Sequence, residues 1–177
     1  MSTTMLIERA PSFRLRGVDG VEHSLEDYDA FVALVLIQSC NHCPYVQAWE
    51  ARMKSIQADY AGRGVRLVAV NSNDALRYPQ DSFAEMVRRA QKQEFNFDYL
   101  WDEDQSLARE LQPERTPEAF LFGRERKLVY HGAIDDHRDE HAVQEHYLRD
   151  ALDAVLDGRE PAVGRTSAVG CSVKWRQ

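Results

Sequence analysis

Apolar residues along this chain alternate between short continuous runs and three-to-four-residue spacings, and that alternation predicts strands interleaved with helices. Phe13 to Leu15 and Val21 to Leu25 flank Gly17-Val18-Asp19-Gly20, the pattern of an N-terminal β-hairpin. Phe31 to Gln38 is nearly unbroken in apolar residues, as expected for a central strand buried on both faces. From Pro44 onward Val46, Trp49, Met53, Ile56 and Tyr60 form one helical stripe, which Gly62 and Gly64 end. Val65 to Val70 predicts a second buried strand. Asn71-Ser72-Asn73-Asp74 and Tyr78-Pro79 read as loop. Ser82 with Glu85 is a capping box ahead of a helix bearing Phe83, Met86, Val87 and Ala90. Asp102 with Gln105 repeats that signal before a short helix around Leu107 to Leu111. Ala119 to Phe122 and Lys127 to Tyr130 make a late β-hairpin after Thr116-Pro117. A last helix is expected from about Glu140 to Leu156, with Val143, Tyr147, Leu148, Ala151, Leu152 and Val155 on one face. The order describes a single α/β domain spanning 1–177 with a mixed sheet, its tail from 158 to 177 packed on it.

The chemistry concentrates in Cys40-Asn41-His42-Cys43-Pro44, at the junction between the central strand and the long helix. Two sulfurs at C-x-x-C spacing suit thiol–disulfide exchange, one attacking and the other resolving. Unsatisfied N–H groups at a helix N-terminus favour a thiolate, here expected on Cys40. Pro44 suits the first helical turn, where its missing N–H costs nothing. His42 either donates toward Cys40, stabilising the thiolate and making the couple more oxidising than thioredoxin's, or merely caps the helix and faces solvent.

Composition narrows the setting. At 177 residues, 44% apolar and 29% charged, the chain has the make-up of an ordinary globular domain. A formal charge of −7 without a basic stripe argues against nucleic acid or anionic membrane as partner. No apolar run is long enough to span a bilayer, and Met1 to Pro11 lacks the apolar core of a signal peptide. A cytoplasmic location is expected. Three cysteines are too few for a disulfide framework, so the C-x-x-C is read as catalytic or metal-binding.

The C-x-x-C after the first central strand and the Thr-Pro before the late hairpin together resemble the thioredoxin fold. The N-terminal hairpin and the insertion ahead of Thr116-Pro117 resemble its redoxin branch, which includes the alkyl hydroperoxide reductase/thiol-specific antioxidant proteins. Asn41 to Tyr45, Val70 to Asp74, Gly132 to Asp136 and Gly170 to Trp175 are similar to a group of bacterial redoxins known only as thioredoxin family proteins. The resemblance implies that Cys40 is the nucleophile and Cys43 the resolving thiol. It implies too that Pro117 follows a cis peptide beside them, leaving the backbone of Thr116 to pair with an extended substrate near Asn41 and Pro44. It further implies a protein or small-molecule disulfide or dithiol as substrate, an unidentified electron donor, and no organic cofactor or metal. Two departures from thioredoxin stand out: Ser39 replaces a tryptophan, and the strand leading into the motif holds no acid. A proton relay for the resolving thiol is therefore missing or supplied from elsewhere.

Two other reactions compete. In peroxidase chemistry a cysteine becomes sulfenic acid and its neighbour condenses with it. Counting back from Cys40 gives Ile37 and Ala33 where peroxiredoxins resemble P-x-x-x-[TS]-x-x-C, so only weak peroxidase activity is expected. Alternatively Cys40, Cys43, His42 and Cys171 could bind copper or zinc, although one thiol pair is fewer than a structural zinc site usually has. His137 and His141, four apart, are expected on a solvated helix start. Asn71, Asn73 and Asp74 cap a loop or line the cleft, and Tyr45 and Trp49 are core or cleft wall. Cys171 is expected to pack the tail against the domain with Trp175 as companion anchor; a third redox thiol is the alternative.

Overall fold

In the computed structural model, which describes residues 7–177, the apolar run after Phe31 becomes β3 (Ala33–Ser39), buried at every position. Its side chains alternate, Ala33, Val35 and Ile37 toward one core and Leu34 and Leu36 toward the other. A strand of that kind needs cover on both faces and neighbours on both edges. β4 (Val65–Asn71) lies parallel to it, in register from Ala33–Val65 to Ser39–Asn71. On its other edge β7 (Glu118–Phe122) runs antiparallel and continues into β8 (Leu128–Gly132). Beyond β4 lie β5 (Asp98–Trp101), β1 (Arg14–Gly17) and β2 (Glu22–Ser24), giving the mixed order β2-β1-β5-β4-β3-β7-β8.

One face is covered by α1 (Pro44–Tyr60), α2 (Phe83–Lys92) and α4 (Tyr147–Leu156). Their Trp49, Met53, Ile56, Met86, Leu148 and Leu152 pack on Val35, Ile37 and Leu67. The opposite face meets α3 (Ser106–Leu111), whose Leu107 and Leu111 join Phe13, Leu15 and Tyr28. Two largely buried ion pairs brace α1 within its layer. Arg89 of α2 grips Glu50 of α1, with Nε 2.7 Å from the carboxylate. Arg52 Nη1 reaches both oxygens of Asp135 at 2.9 and 2.8 Å, and Trp49 Nε1 donates to the same carboxylate at 2.9 Å. Asp135 thus anchors the segment after β8 to α1. Among the described residues no helix is long and apolar enough to cross a membrane.

The structure departs from the sequence pattern in four places. β5 was not expected: only Tyr99 and Leu100 are fully buried there, too short a run to show a period. The last helix starts at Tyr147 rather than Glu140. Residues 140–142 make a single 3₁₀ turn capped by Asp139, and Val143 lies outside the helix in extended backbone. His137 and His141 are accordingly exposed and share no helix. Asp102 does cap α3, accepting from the N–H groups of Leu107 and Ala108, but Gln105 instead turns to the tail, donating to the Lys174 carbonyl at 3.0 Å. Trp175 is 38% exposed, and Val173, 5% exposed, is the buried residue of that end.

Candidate active site

Proline at the first position of α1 sets the rest of the site. Pro44 is exposed and Cys43 is the N-cap residue, extended at φ −70° and ψ 121°. Cys40 follows β3 directly. Both cysteines are buried, 1% and 0% exposed, and they cluster with Val46, Tyr45 and Cys171. Against them stands the cis peptide Thr116–Pro117 at the junction of β6 (Arg115–Thr116) and β7. Cys40 Sγ lies 3.9 Å from Thr116 Oγ1, and in its thiol form Cys43 donates to the Thr116 carbonyl at 3.6 Å.

The two sulfurs are hydrogen-bonded unequally, which favours charge on Cys43. Hydrogen bonds from Cys40, Cys171, the Val46 N–H and Thr116 outweigh burial and hold its thiol down at about 4. Cys40 is driven the other way by its hydrogen bond to Cys43, by burial and by the nearby Asp81 carboxylate. These contacts favour one shared proton on the pair, carried by Cys40. A lowered folded-state value stabilises the reduced protein fully above about 9, and this is lost as pH falls through about 4. Ultraviolet thiolate absorbance of the reduced protein is expected to persist down to that lower value and to vanish in Cys43→Ser; a transition only in the ordinary thiol range contradicts the placement.

The acid missing from β3 comes from the segment after β4. Asp81 is fully buried and receives the N–H groups of Asn41 at 2.8 Å and His42 at 3.2 Å. His42 Nδ1 and Asn73 Nδ2 (2.9 Å) also bond to it, and Asn71 Nδ2 donates to its backbone carbonyl at 2.8 Å. His42 stacks on Tyr78, with ring centroids 5.7 Å apart. The histidine thus fastens the C-x-x-C loop to Asp81 rather than donating to a sulfur. Asn41, expected near substrate, is buried with both side-chain polar atoms engaged: Oδ1 accepts from Tyr99 at 2.7 Å and Nδ2 donates to Gln80. It holds the loop. Asn71 and Asn73 belong to the same scaffold, a role their position in the predicted loop already allowed.

The metal-binding alternative meets a different donor set. Cys40, His42 and Asp81 bring one ligand atom each within 4.8 Å of one another. Both Asp81 oxygens are already committed to the loop, so an ion there would break the hydrogen bonds that shape the motif.

Thr116 is not open for pairing with a substrate. β9 (Cys171–Ser172) runs antiparallel to β6, with Thr116 opposite Cys171 and Arg115 opposite Ser172. The approach is close enough to require glycine next door, since a Cβ on Gly170 would fall 2.0 Å from the Thr116 carbonyl oxygen. Gly170→Ala is expected to cost about 1–3 kcal/mol and to raise the alkylation rate of Cys43 by lifting the tail. Unchanged stability and alkylation would contradict that docking. Beside Pro117 a groove of about 420 Å³ remains, lined by Tyr45, Trp49, Ile134, Arg138, Tyr147 and Val169.

The AhpC/TSA family matches residues 7–131. Among solved structures, a hypothetical protein of Sinorhizobium meliloti is 34% identical with a TM-score of 0.91, over 99% of this chain and 97% of that one. An uncharacterized conserved protein of Geobacillus kaustophilus is 38% identical with the same TM-score, over 99% and 94%. A putative thiol:disulfide interchange protein of Chlorobium tepidum shares the fold at 23% identity and TM-score 0.61, over 71% and 84%. No curated protein matches the chain. The architecture is a thioredoxin-like α/β fold, and a thiol redox function accompanies the family match. With that match covering most of its length, the chain belongs to the AhpC/TSA family.

Proposed function

We propose that this protein is a thiol–disulfide oxidoreductase whose redox couple is the Cys40/Cys43 pair. The observation that carries the reading is the buried Cys40/Cys43 pair at the start of α1, clustered with Cys171 and set against the cis Thr116–Pro117 peptide. Cys43 thiolate attacks one sulfur of a substrate disulfide, and the second substrate sulfur leaves as a thiolate. Cys40, giving up its proton to that leaving sulfur, then attacks Cys43. The Cys40–Cys43 disulfide forms as the Cys43–substrate bond breaks, releasing the remaining substrate thiol. The roles are the reverse of those implied by resemblance, because the helix N-cap falls on the second cysteine. Run backwards, the same steps oxidise a dithiol. The cycle uses no cofactor or metal. Pro117 shapes the wall beside the pair, while His42 and Asp81 position the loop.

A stabilised thiolate stabilises the reduced form, so the couple is expected to be more oxidising than thioredoxin's, about −270 mV. The reaction is tested by following disulfide exchange with insulin and with glutathione disulfide, beside peroxide consumption by the reduced protein. Exchange that depends on both cysteines supports the reading. Peroxide turnover without disulfide exchange replaces it with peroxidase chemistry.

A further inference from the structure

Both cysteines of the pair are buried, whereas Cys171, packed against them, is partly exposed. The tail holds that thiol in place by more than packing. β9 occupies the backbone of Thr116 next to Pro117, in antiparallel register. Gly170 sits against the Thr116 carbonyl. Farther along, Lys174 N donates to Asn73 Oδ1 and Asp74 N to the Lys174 carbonyl, both at 2.9 Å, tying the tail to the loop that holds Asp81. An extended segment with a cysteine facing the redox pair, hydrogen-bonded to the backbone beside Pro117, has the arrangement of a bound strand-forming substrate.

We propose that Cys171 is a third redox thiol, a tethered relay that takes the disulfide from the enclosed pair by bonding to Cys43. The inference rests on Cys40 and Cys43 being the redox couple. In the oxidised protein Cys171 loses its proton to solvent and attacks Cys43. The Cys43–Cys171 bond forms as the Cys40–Cys43 bond breaks, and Cys40 leaves as a thiolate that takes up a proton. The step exchanges one disulfide for another and needs no outside oxidant. Its product places a disulfide where an external thiol can reach it through the exposed sulfur.

Two features of the helix end favour this exchange. The Tyr45 N–H favours a thiolate on Cys171 and the Val46 N–H one on Cys43, so neighbouring N–H groups of the first turn of α1 serve the two sulfurs. In the reduced state burial first, then the hydrogen bond to Cys43 and its charge, push the Cys171 thiol up to about 11. Once Cys43 is in a disulfide the last two causes are gone, and the Tyr45 N–H remains to stabilise a Cys171 thiolate.

The full chain is oxidised with diamide, alkylated in acid and mapped by mass spectrometry without reduction. Cross-linked peptides for both Cys40–Cys43 and Cys43–Cys171 are expected, with Cys43–Cys171 the main product in Cys40→Ser and no Cys40–Cys171 link in Cys43→Ser. Turnover with insulin is expected to fall roughly tenfold in Cys171→Ser, as a local exchange partner is lost. Finding only Cys40–Cys43 in the unsubstituted chain, with Cys171 fully alkylated and turnover unchanged in Cys171→Ser, overturns the relay and leaves the dithiol couple standing. Finding no disulfide on Cys40 or Cys43 overturns the couple itself.

Discussion

Replacing Cys43 by serine is expected to reduce disulfide exchange by about 10²-fold or more, close to the rate of an unactivated thiol. The remaining sulfur, Cys40, is buried beside Asp81, and burial and that carboxylate oppose its thiolate more than the Cys43 N–H favours it. Cys40→Ser is expected to behave differently. Cys43 keeps the Val46 N–H and still attacks, but the mixed disulfide has lost its resolving thiol within the pair. Trapped substrate on Cys43 in that variant once Cys171 is also replaced by serine, with little on Cys40 in Cys43→Ser, separates the two roles. Accumulation on Cys40 in Cys43→Ser would restore the order implied by resemblance.

Asp81→Ala is expected to lose roughly 3–5 kcal/mol of stability, the range for removing one partner from a buried charged network. The alanine leaves the N–H groups of Asn41 and His42 and the amide of Asn73 without their acceptor. Stability in urea measures this directly. Chemistry should move with it: the Asp81 charge helps hold the Cys40 thiol protonated, so its loss lets Cys40 alkylate at lower pH. A loss below about 1 kcal/mol, the worth of one ordinary hydrogen bond, would show that the loop is held by something else.

The sequence pattern carried the strands and helices wherever burial was long enough to impose a period. β3, α1, β4 and the late hairpin lie within a few residues of their predicted positions. β5 was illegible because two buried residues cannot establish alternation. The start of α1 was legible: proline prefers the first helical position, which makes Cys43 the N-cap. Asp81 could not be found from the motif, since it lies 40 residues from Asn41 in a loop whose only strong signals were Pro79 and the Ser82 cap. The absent acid in β3 was the one hint that such a residue existed. The tail shows the same limit. Cys171 and Thr116 are brought together by a strand pair of two residues each, below any periodic signal.

Cys40 and Cys43 are proposed to form a redox couple whose reduced state is stabilised by charge on Cys43. Equilibration of the protein in glutathione buffers, with thiols counted by alkylation and mass spectrometry, tests it most directly. The predicted result is a two-electron transition that consumes the Cys43 thiol together with one partner thiol, with a midpoint more positive than about −270 mV. A midpoint at or below that value, or a Cys43 that stays alkylatable throughout, would contradict it.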